Sequence, residues 1–192
     1  MFIRKLLTTL AFTVAASSAS AITILYDFEQ NLSDNQTSID YVESGVTLNV
    51  TANGDQIHRA GNGMGVRGNP EGSRIALGEQ ITFSFDGYRI DSFTATIWER
   101  GSEDETFIFG NSGIQTALGG ANGVSLQTFT EILASGTSSF TIQGLEANGA
   151  GNRGIKIANI EVTLSEVPVP ASGGLLLAAL VGMGFYRRKK AV

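Results

Sequence analysis

The sequence predicts an all-β protein: an antiparallel β-sandwich, jelly-roll-like, flanked by an N-terminal signal peptide and a C-terminal hydrophobic helix. Three observations support this fold class. Apolar and polar residues alternate with period two in several short runs, breaks rich in glycine and asparagine separate these runs, and helical periodicity is nearly absent between residues 22 and 166. Short alternating strands with frequent turns and no helical crossovers are typical of sandwiches and barrels.

The first element is the segment "MFIRKLLTTLAFTVAASSASA". It carries a basic start, Arg4 and Lys5, then an apolar stretch over residues 6–16, and Ala19 and Ala21 in an A-x-A pattern. These are the three parts of a secretory signal peptide, so we expect residues 1–21 to be removed by cleavage after Ala21. An N-terminal membrane anchor is the alternative, but the apolar stretch is short for a span.

The predicted domain covers residues 22–166 and consists of strands with one apolar face. In "GVTLNVT", "ITFSFD", "IDSFTATIWE" and "SSFTIQG", the apolar residues occupy every second position. The expected core positions are Val46, Leu48, Val50, Ile81, Phe83, Phe85, Phe93, Ala95, Ile97, Phe140 and Ile142. The last run, "GIKIANIEVTL", changes phase, which predicts a bulge at Ala158 and Asn159. Residues 115–118 are the one helix-like piece of the domain.

Charge and cysteine content exclude several function classes. Six of the 13 basic residues lie in the terminal segments and no acidic one does, which leaves seven basic and 18 acidic residues, a net charge of −11, in between. Such a surface repels nucleic-acid phosphates and anionic lipids, so we expect no nucleic-acid partner. The absence of cysteine excludes thiol catalysis, thiolate metal sites and haem attachment.

One motif fits a known pattern only in its letters. "GMGVRG" (63–68) matches G-x-G-x-x-G, but the dinucleotide fold needs a strand before it and a helix after it, and here the turn-like "NPEGSR" follows. We interpret it as a flexible glycine loop.

His58 is the single histidine. Zinc sites and catalytic triads need further partners, so a loop or strand-edge position is expected for it.

Carboxylates of the first and last strands form a possible cation site. Asp27 and Glu29 lie on one side of the run "YDFEQN", and Glu161 is close to Asn159 on the last strand. If these strands pair, the oxygens could converge on calcium. An ordinary solvated edge is the alternative, and no dense D-x-D-x-D loop supports the metal, so we expect no cofactor, with calcium left open.

A second acidic group, Glu103, Asp104 and Glu105, follows Trp98 in "GSEDET". A charged hairpin tip explains it, while paired carboxylates for glycoside hydrolysis would also require a cleft and a set separation. The aromatic residues Trp98, Tyr88 and Phe107 could stack on sugars or belong to the core. Trp98 has the opposite parity to Ile97, which predicts that it faces away from the core and contacts a ligand at the surface or in a groove.

The segment 167–192, "VPVPASGGLLLAALVGMGFYRRKKAV", has three parts: a Val-Pro motif, an apolar run over 173–186 and the basic residues Arg187, Arg188, Lys189 and Lys190. A helix of 14 residues reaches about 21 Å, against a hydrocarbon core of roughly 30 Å. The basic residues would stay on the cytoplasmic side. The pattern indicates a transient membrane anchor that is marginal as a permanent one.

This three-part segment resembles the PEP-CTERM class of sorting signals, in the V-P-x-P-A form. The residues that carry the resemblance are Val167, Pro168, Pro170 and Ala171, with Val169 where the name-giving motif has Glu. The resemblance implies recognition by an exosortase, a membrane-embedded cysteine enzyme of Gram-negative bacteria, and cleavage near residues 168–171. It also implies transient insertion in the inner membrane, delivery to the cell surface or medium, and a link to exopolysaccharide and biofilm or floc formation.

The central segment is similar, more weakly, to the short β-rich domains attached to such signals. "YDFE", "GMGV", "GEQITFSFD" and "IANIEVTL" occur in that order, and they carry no catalytic residues. The sequence thus predicts an exported, non-enzymatic surface or matrix protein that adheres to or associates with polysaccharide. A carbohydrate-active enzyme and a self-associating structural matrix protein are the alternatives.

Overall fold

The computed structural model describes residues 20–29, 36–53, 56–67, 74–99, 104–119, 125–133, 137–145 and 154–167, all within one compact unit, Ser20–Val167. Most of the predicted signal peptide, Ala19 included, and the segment after Val167 lie outside the described residues. The same holds for the predicted apolar helix and for the four terminal basic residues.

In this part of the chain the structure contains twelve β-strands and no helix. The strands are β1 (Ala21–Asp27), β2 (Ser38–Glu43), β3 (Val46–Ala52), β4 (Gln56–Ala60), β5 (Gly63–Arg67), β6 (Gln80–Phe85), β7 (Tyr88–Glu99), β8 (Glu105–Phe109), β9 (Ile114–Ala117), β10 (Ser125–Ile132), β11 (Ser139–Gly144) and β12 (Lys156–Glu166). The predicted all-β class is confirmed.

The strands form two six-stranded antiparallel sheets. The first sheet has the order β10-β7-β12-β5-β4, and β1 also pairs with β12; the second has the order β2-β3-β6-β11-β8-β9. β1 and β12 pair over their whole common length, from Ala21 opposite Ser165 to Asp27 opposite Asn159. The first and last strands are therefore neighbours, which is the condition that the possible calcium site requires.

Period-two alternation produces the strands because it gives each of them one face that can be buried. In β6, Ile81, Phe83 and Phe85 are buried and the residues between them are partly exposed. The phase change in β12 has the predicted cause, because the register with β7 shifts between Ile157 and Asn159. One extra residue at this bulge moves the following apolar residues back to the inner face.

Two local predictions are wrong. Residues 115–118 are not helical: most of them belong to β9, an edge strand that pairs with β8. The glycine pattern that we interpreted as a flexible loop is the strand β5, which pairs with β4 and β12. Gly63 has a φ of +122°, and a Cβ atom there would lie 2.5 Å from the carbonyl oxygen of Ile157. Glycine is thus required at this point by close packing of the backbones within the sheet.

The inner faces of both sheets contribute to one buried cluster of hydrophobic side chains. A continuous series of ring contacts runs through it, in the order Tyr41, Phe28, Phe83, Phe140, Phe93 and Phe109. The closest contact joins Phe93 of the first sheet to Phe140 of the second, with ring centroids 3.7 Å apart. Aromatic packing therefore contributes to the contact between the sheets.

A buried hydroxyl group adds a polar link between the sheets. Tyr26 on β1 donates a hydrogen bond from its Oη to the carbonyl oxygen of Val46 on β3, at 3.2 Å. Burial, with smaller contributions from the nearby Glu43 and Tyr88, raises the pKa of Tyr26 from 10.0 to about 12. The phenol thus remains protonated well into the alkaline range.

Candidate functional site

The outward face of the second sheet is almost wholly polar on its strands β2, β3, β6 and β11. Alternation places one residue in two on this face. Its side chains are Ser38, Asp40, Val42, Thr47, Asn49, Thr51, Gln80, Thr82, Ser84, Ser139, Thr141 and Gln143. We call this set the hydroxyl–amide face. None of the outward positions on these four strands holds a lysine, arginine or aromatic residue.

The strand register aligns these side chains in rows across the sheet. One row runs from Asp40 through Asn49 and Ser84 to Ser139, and the adjacent row runs from Ser38 through Thr51 and Thr82 to Thr141. Neighbouring strands lie about 4.8 Å apart, and successive rows about 6.8 Å apart. The face therefore presents hydrogen-bonding groups at regular spacings in two directions.

A groove of about 260 Å³ lies on this face, lined by Asp40, Thr47, Asn49, Ser84 and Asp86. Asn49 is fixed in its position, because its Nδ2 donates hydrogen bonds to Asp40 Oδ1 at 2.7 Å and to Ser38 Oγ at 3.0 Å. The hydroxyl of Ser84 donates to the carbonyl oxygen of Asn49 at 3.4 Å. Asp40 and Asn49, two of the five lining side chains, thus hold each other in place, which reduces the cost of ordering these two on binding.

The groove has a negative electrostatic character. Asp40 and Asp86 are both exposed carboxylates, and the other three lining residues are neutral hydroxyl or amide groups. Asp40 belongs to β2 and Asp86 follows β6, two strand spacings across the sheet and one row further along it, which is roughly 12 Å in all. The arrangement suits a ligand that donates several hydrogen bonds and carries no negative charge.

The outward face of the first sheet differs, because its hydroxyl groups bond to each other. Thr23 and Thr163 are cross-strand partners with their Oγ1 atoms 3.2 Å apart, and the same atoms of Thr94 and Thr130 are 2.9 Å apart. Such pairs stabilise the sheet. Leu25, Leu126 and Ile132 are exposed on or beside this face.

Trp98 points to the outer side of the first sheet but is only 7% exposed. The guanidinium carbon of Arg74 lies 5.4 Å from the ring centroid, and Nζ of Lys156 lies 5.5 Å from it. These cations cover the indole. The predicted parity of Trp98 is correct, but the predicted role as a surface or groove contact is wrong because of this cover.

The carboxylates considered for calcium do not form a metal cluster. Asp27 lies opposite Asn159 in the register, and its Oδ1 accepts a hydrogen bond from the backbone N–H of Glu29 at 2.9 Å. Glu161 lies opposite Leu25, one row away. Within the described ranges, no group of three or more His, Cys, Asp or Glu side chains is placed to hold a metal ion.

The remaining predicted residues are distributed over the two sheets. His58 lies on β4, an edge strand of the first sheet, as expected for a strand-edge residue. Glu105 is not at a hairpin tip, because it is the buried first residue of β8. Asp104 accepts a hydrogen bond from the backbone N–H of Gly119. Glu103 lies outside the described residues. Phe107 belongs to the core and cannot stack on a sugar, whereas Tyr88 is partly buried and packs against the core.

Of the predicted sorting residues, only Val167 is described. It directly follows β12, is 53% exposed, and donates a backbone hydrogen bond to the carbonyl oxygen of Gly87 at 3.2 Å. Ala21, the predicted last residue of the signal peptide, is the exposed first residue of β1. Cleavage after it would leave the β1–β12 pairing from Ile22 onward in place.

The groove residues Asp40, Asn49, Ser84 and Asp86 were missed in the sequence. Asn49, Ser84 and Asp86 belong to runs whose alternation predicts strands, whereas Asp40 lies on β2, for which the sequence predicts no strand. A repeated Ser, Thr, Asn or Gln at the outward positions of three runs was a visible signal. What could not be seen was the register that aligns them, since this depends on which strands are neighbours.

Comparisons with known proteins assign no family. Neither the models of known protein families nor the curated proteins gave a match to this chain. Among the described residues, no helix is long and apolar enough to cross a membrane.

Proposed function

We propose that the protein is an exported, non-enzymatic surface or extracellular-matrix protein that associates with polysaccharide through the hydroxyl–amide face. The single observation that carries this proposal is the groove lined by Asp40, Thr47, Asn49, Ser84 and Asp86. Hydroxyl, amide and carboxylate groups are the partners that sugar hydroxyls need, and their alignment in rows matches a repeating ligand. The surplus of acidic residues makes copies of the protein repel one another, which favours a soluble protein outside the cell.

The proposed architecture is an antiparallel β-sandwich of jelly-roll-like topology. The ring contacts between Phe93 and Phe140 support the sandwich, because these residues belong to different sheets. The jelly-roll character is supported by the connections β6–β7, β7–β8, β9–β10, β10–β11 and β11–β12, each of which passes from one sheet to the other.

The proposed route is export with a signal peptide cleaved after Ala21, followed by processing at Val167, Pro168, Pro170 and Ala171 by an exosortase-type enzyme of a Gram-negative inner membrane. The segment 173–186 and the basic residues after it would hold the precursor in that membrane. Support comes from the three-part sequence pattern and from the position of Val167, which is exposed immediately after the last strand of the domain.

The deciding experiment is intact-mass analysis of the protein from its host, with cells and medium separated. We expect a product that starts at Ile22 and ends within residues 168–172, at the cell surface or in the medium. The double variant Pro168→Ala/Pro170→Ala should retain its C-terminal segment, while the neighbouring Ser172→Ala should be processed normally. A wild-type product that keeps Arg187 to Lys190 in the membrane fraction would contradict the sorting proposal.

The non-enzymatic part of the proposal has its own test. The full chain is incubated with the host's exopolysaccharide, and both co-sedimentation and the release of reducing ends are measured. Co-sedimentation without new reducing ends supports the proposal. Release of reducing ends would establish a carbohydrate-active enzyme instead, and concentration-dependent oligomers without polysaccharide binding would establish a self-associating matrix protein.

A further inference from the structure

We propose that the groove between Asp40 and Asp86 binds a polysaccharide of amino sugars that carry free ammonium groups. This inference deepens the proposed function and rests on it, since it names the class of sugar that the hydroxyl–amide face takes. The argument depends on the charge of the groove, on the chemistry of its neighbours and on its open shape.

The negative charge of the groove favours a positively charged ligand. Two of its five lining residues are carboxylates, and no basic residue occupies an outward position on β2, β3, β6 or β11. A uronic-acid or phosphate-bearing glycan would meet like charges here, and the negative net charge of the domain adds to the repulsion. An ammonium group is a compact cation with three hydrogen-bond donors, so it pairs with a carboxylate and a neighbouring hydroxyl at the same time.

The neutral groups favour a sugar over a basic peptide. Protein interfaces bury a core of aromatic and apolar side chains, but the groove lining contains neither kind. Thr47 and Ser84 provide hydroxyl groups, and the amide of Asn49 is held by its bonds to Asp40 and Ser38. A sugar ring, with hydroxyl groups around its edge, can bond to several of these neutral groups at once, whereas a lysine side chain brings a single ammonium group on an apolar stem.

The size and openness of the groove favour a chain over a free monosaccharide. Its volume of about 260 Å³ is below the roughly 300–1,000 Å³ of pockets that enclose a small molecule. Beside the groove on the hydroxyl–amide face, Ser139 continues its row, and Thr82 and Thr141 belong to the adjacent row. One sugar unit occupies the groove while adjacent units contact the rows, and each weak exposed ion pair gains from the simultaneous binding of the others.

The test is calorimetric titration of the full chain with three short oligosaccharides in EDTA at physiological ionic strength, in mildly acidic buffer that keeps the glucosamine amines protonated: β-1,4-linked glucosamine, its fully N-acetylated counterpart and an oligouronate. EDTA removes any binding through a bridging metal ion. We expect binding of the glucosamine oligomer, with the N-acetylated oligomer at least about tenfold weaker, equivalent to about 1.4 kcal/mol. No binding is expected for the oligouronate.

Variants of the lining carboxylates test whether the ligand binds in the groove. Asp40→Asn/Asp86→Asn removes two charges but keeps an acceptor for Asn49 and a turn-favouring residue before Gly87, so the fold is retained. It should weaken glucosamine binding by at least about tenfold. The matched control is Glu161→Gln/Glu166→Gln, which removes two exposed charges from β12 of the first sheet and should leave the affinity within about twofold. Equal unfolding midpoints in urea confirm that all forms are folded.

Three outcomes would overturn the inference. They are equal affinity for the N-acetylated oligomer, an equal effect of the control pair, and equal affinity for an oligolysine of the same charge. If neutral sugars bind and the groove variant weakens them, the polysaccharide function stands and only the ammonium requirement fails. If no oligosaccharide binds to a protein that is processed and located at the surface, the inference fails while the sorting proposal stands.

Discussion

The inner and outer faces of the two sheets are built from the same strands but differ in almost every chemical respect. On β7, Phe93 points inward and is in ring contact with the second sheet, while its neighbour Thr94 points outward to a hydroxyl partner on β10. The inner residues include many large buried rings, while many of the outer residues carry small polar groups aligned across strands. The inner residues therefore contribute most of the stabilising free energy of folding. Residues of the outer faces can be substituted, and so adapted to recognition, with little loss of stability.

The largest expected effect is at the contact between the sheets. Phe93→Ala should lower the free energy of unfolding by about 3–5 kcal/mol, since the cavity would lie between two packed rings. The matched control Thr94→Ala removes an outer hydroxyl pair and should cost less than about 1 kcal/mol. Urea unfolding measured by circular dichroism checks both values. Equal losses would mean that the inner and outer faces do not differ in the way described.

The next effect tests the close approach of backbones inside the first sheet. Gly63→Ala should lose about 1–2 kcal/mol from its positive φ and about 1–3 kcal/mol more from the clash with the carbonyl of Ile157. Gly45→Ala is the control, because Gly45 also has a positive φ, +79°, but nothing lies within 4 Å of the added Cβ. A Gly63 variant no less stable than the Gly45 variant would show that β5 can move away from β12.

Tyr26 makes the inner layer sensitive to alkaline pH. Its pKa is raised to about 12, so the folded state holds the proton while the unfolded state releases it near pH 10. The contribution to stability is complete below pH 10 and is lost as the pH rises toward 12. Tyr26→Phe should remove this part of the alkaline decline and cost about 0.5–1.5 kcal/mol at neutral pH, through the lost bond to Val46. A variant that declines as steeply as the wild type between pH 10 and 12 would contradict the assignment.

The smallest effect concerns Trp98, the outer-face residue that is covered. As the single tryptophan, it reports its own surroundings by fluorescence. We expect weak quenching by acrylamide, and Lys156→Met should change the emission and cost about 0.5–1 kcal/mol. Arg89→Met, at the other end of β7, is the control and should leave the emission unchanged. Strong quenching in the wild type would restore the interpretation of Trp98 as a surface residue.

The sequence was sufficient for those features that depend on one strand at a time. Alternation identified the inner positions of β3, β6, β7 and β11, and the phase change at Ala158 located the bulge in β12. Alternation did not predict the elements whose structure depends on pairing with other strands. β9 and β5 look like helix and loop in isolation and become strands by pairing with β8, β4 and β12.

The candidate site was beyond sequence reasoning for the same reason. Asp40, Asn49 and Ser84 come from three separate segments, and only the register places them in one row. Trp98 was assigned to the correct side, but its cover could not be foreseen, because Arg74 precedes it by more than twenty residues and Lys156 follows it by more than fifty. Long-range neighbours of this kind leave no local pattern.

The position of β12 has a consequence for the order of folding. β12 is the last described strand in the chain, yet it lies inside the first sheet, between β7 on one side and β1 and β5 on the other. β1, the first strand, therefore pairs with β12 only when a loop of more than 130 residues closes. Closing so long a loop is slow. Until β12 has emerged, the first sheet lacks its centre. A chain made from its N-terminus therefore cannot complete the first sheet until nearly all of the described domain has been made.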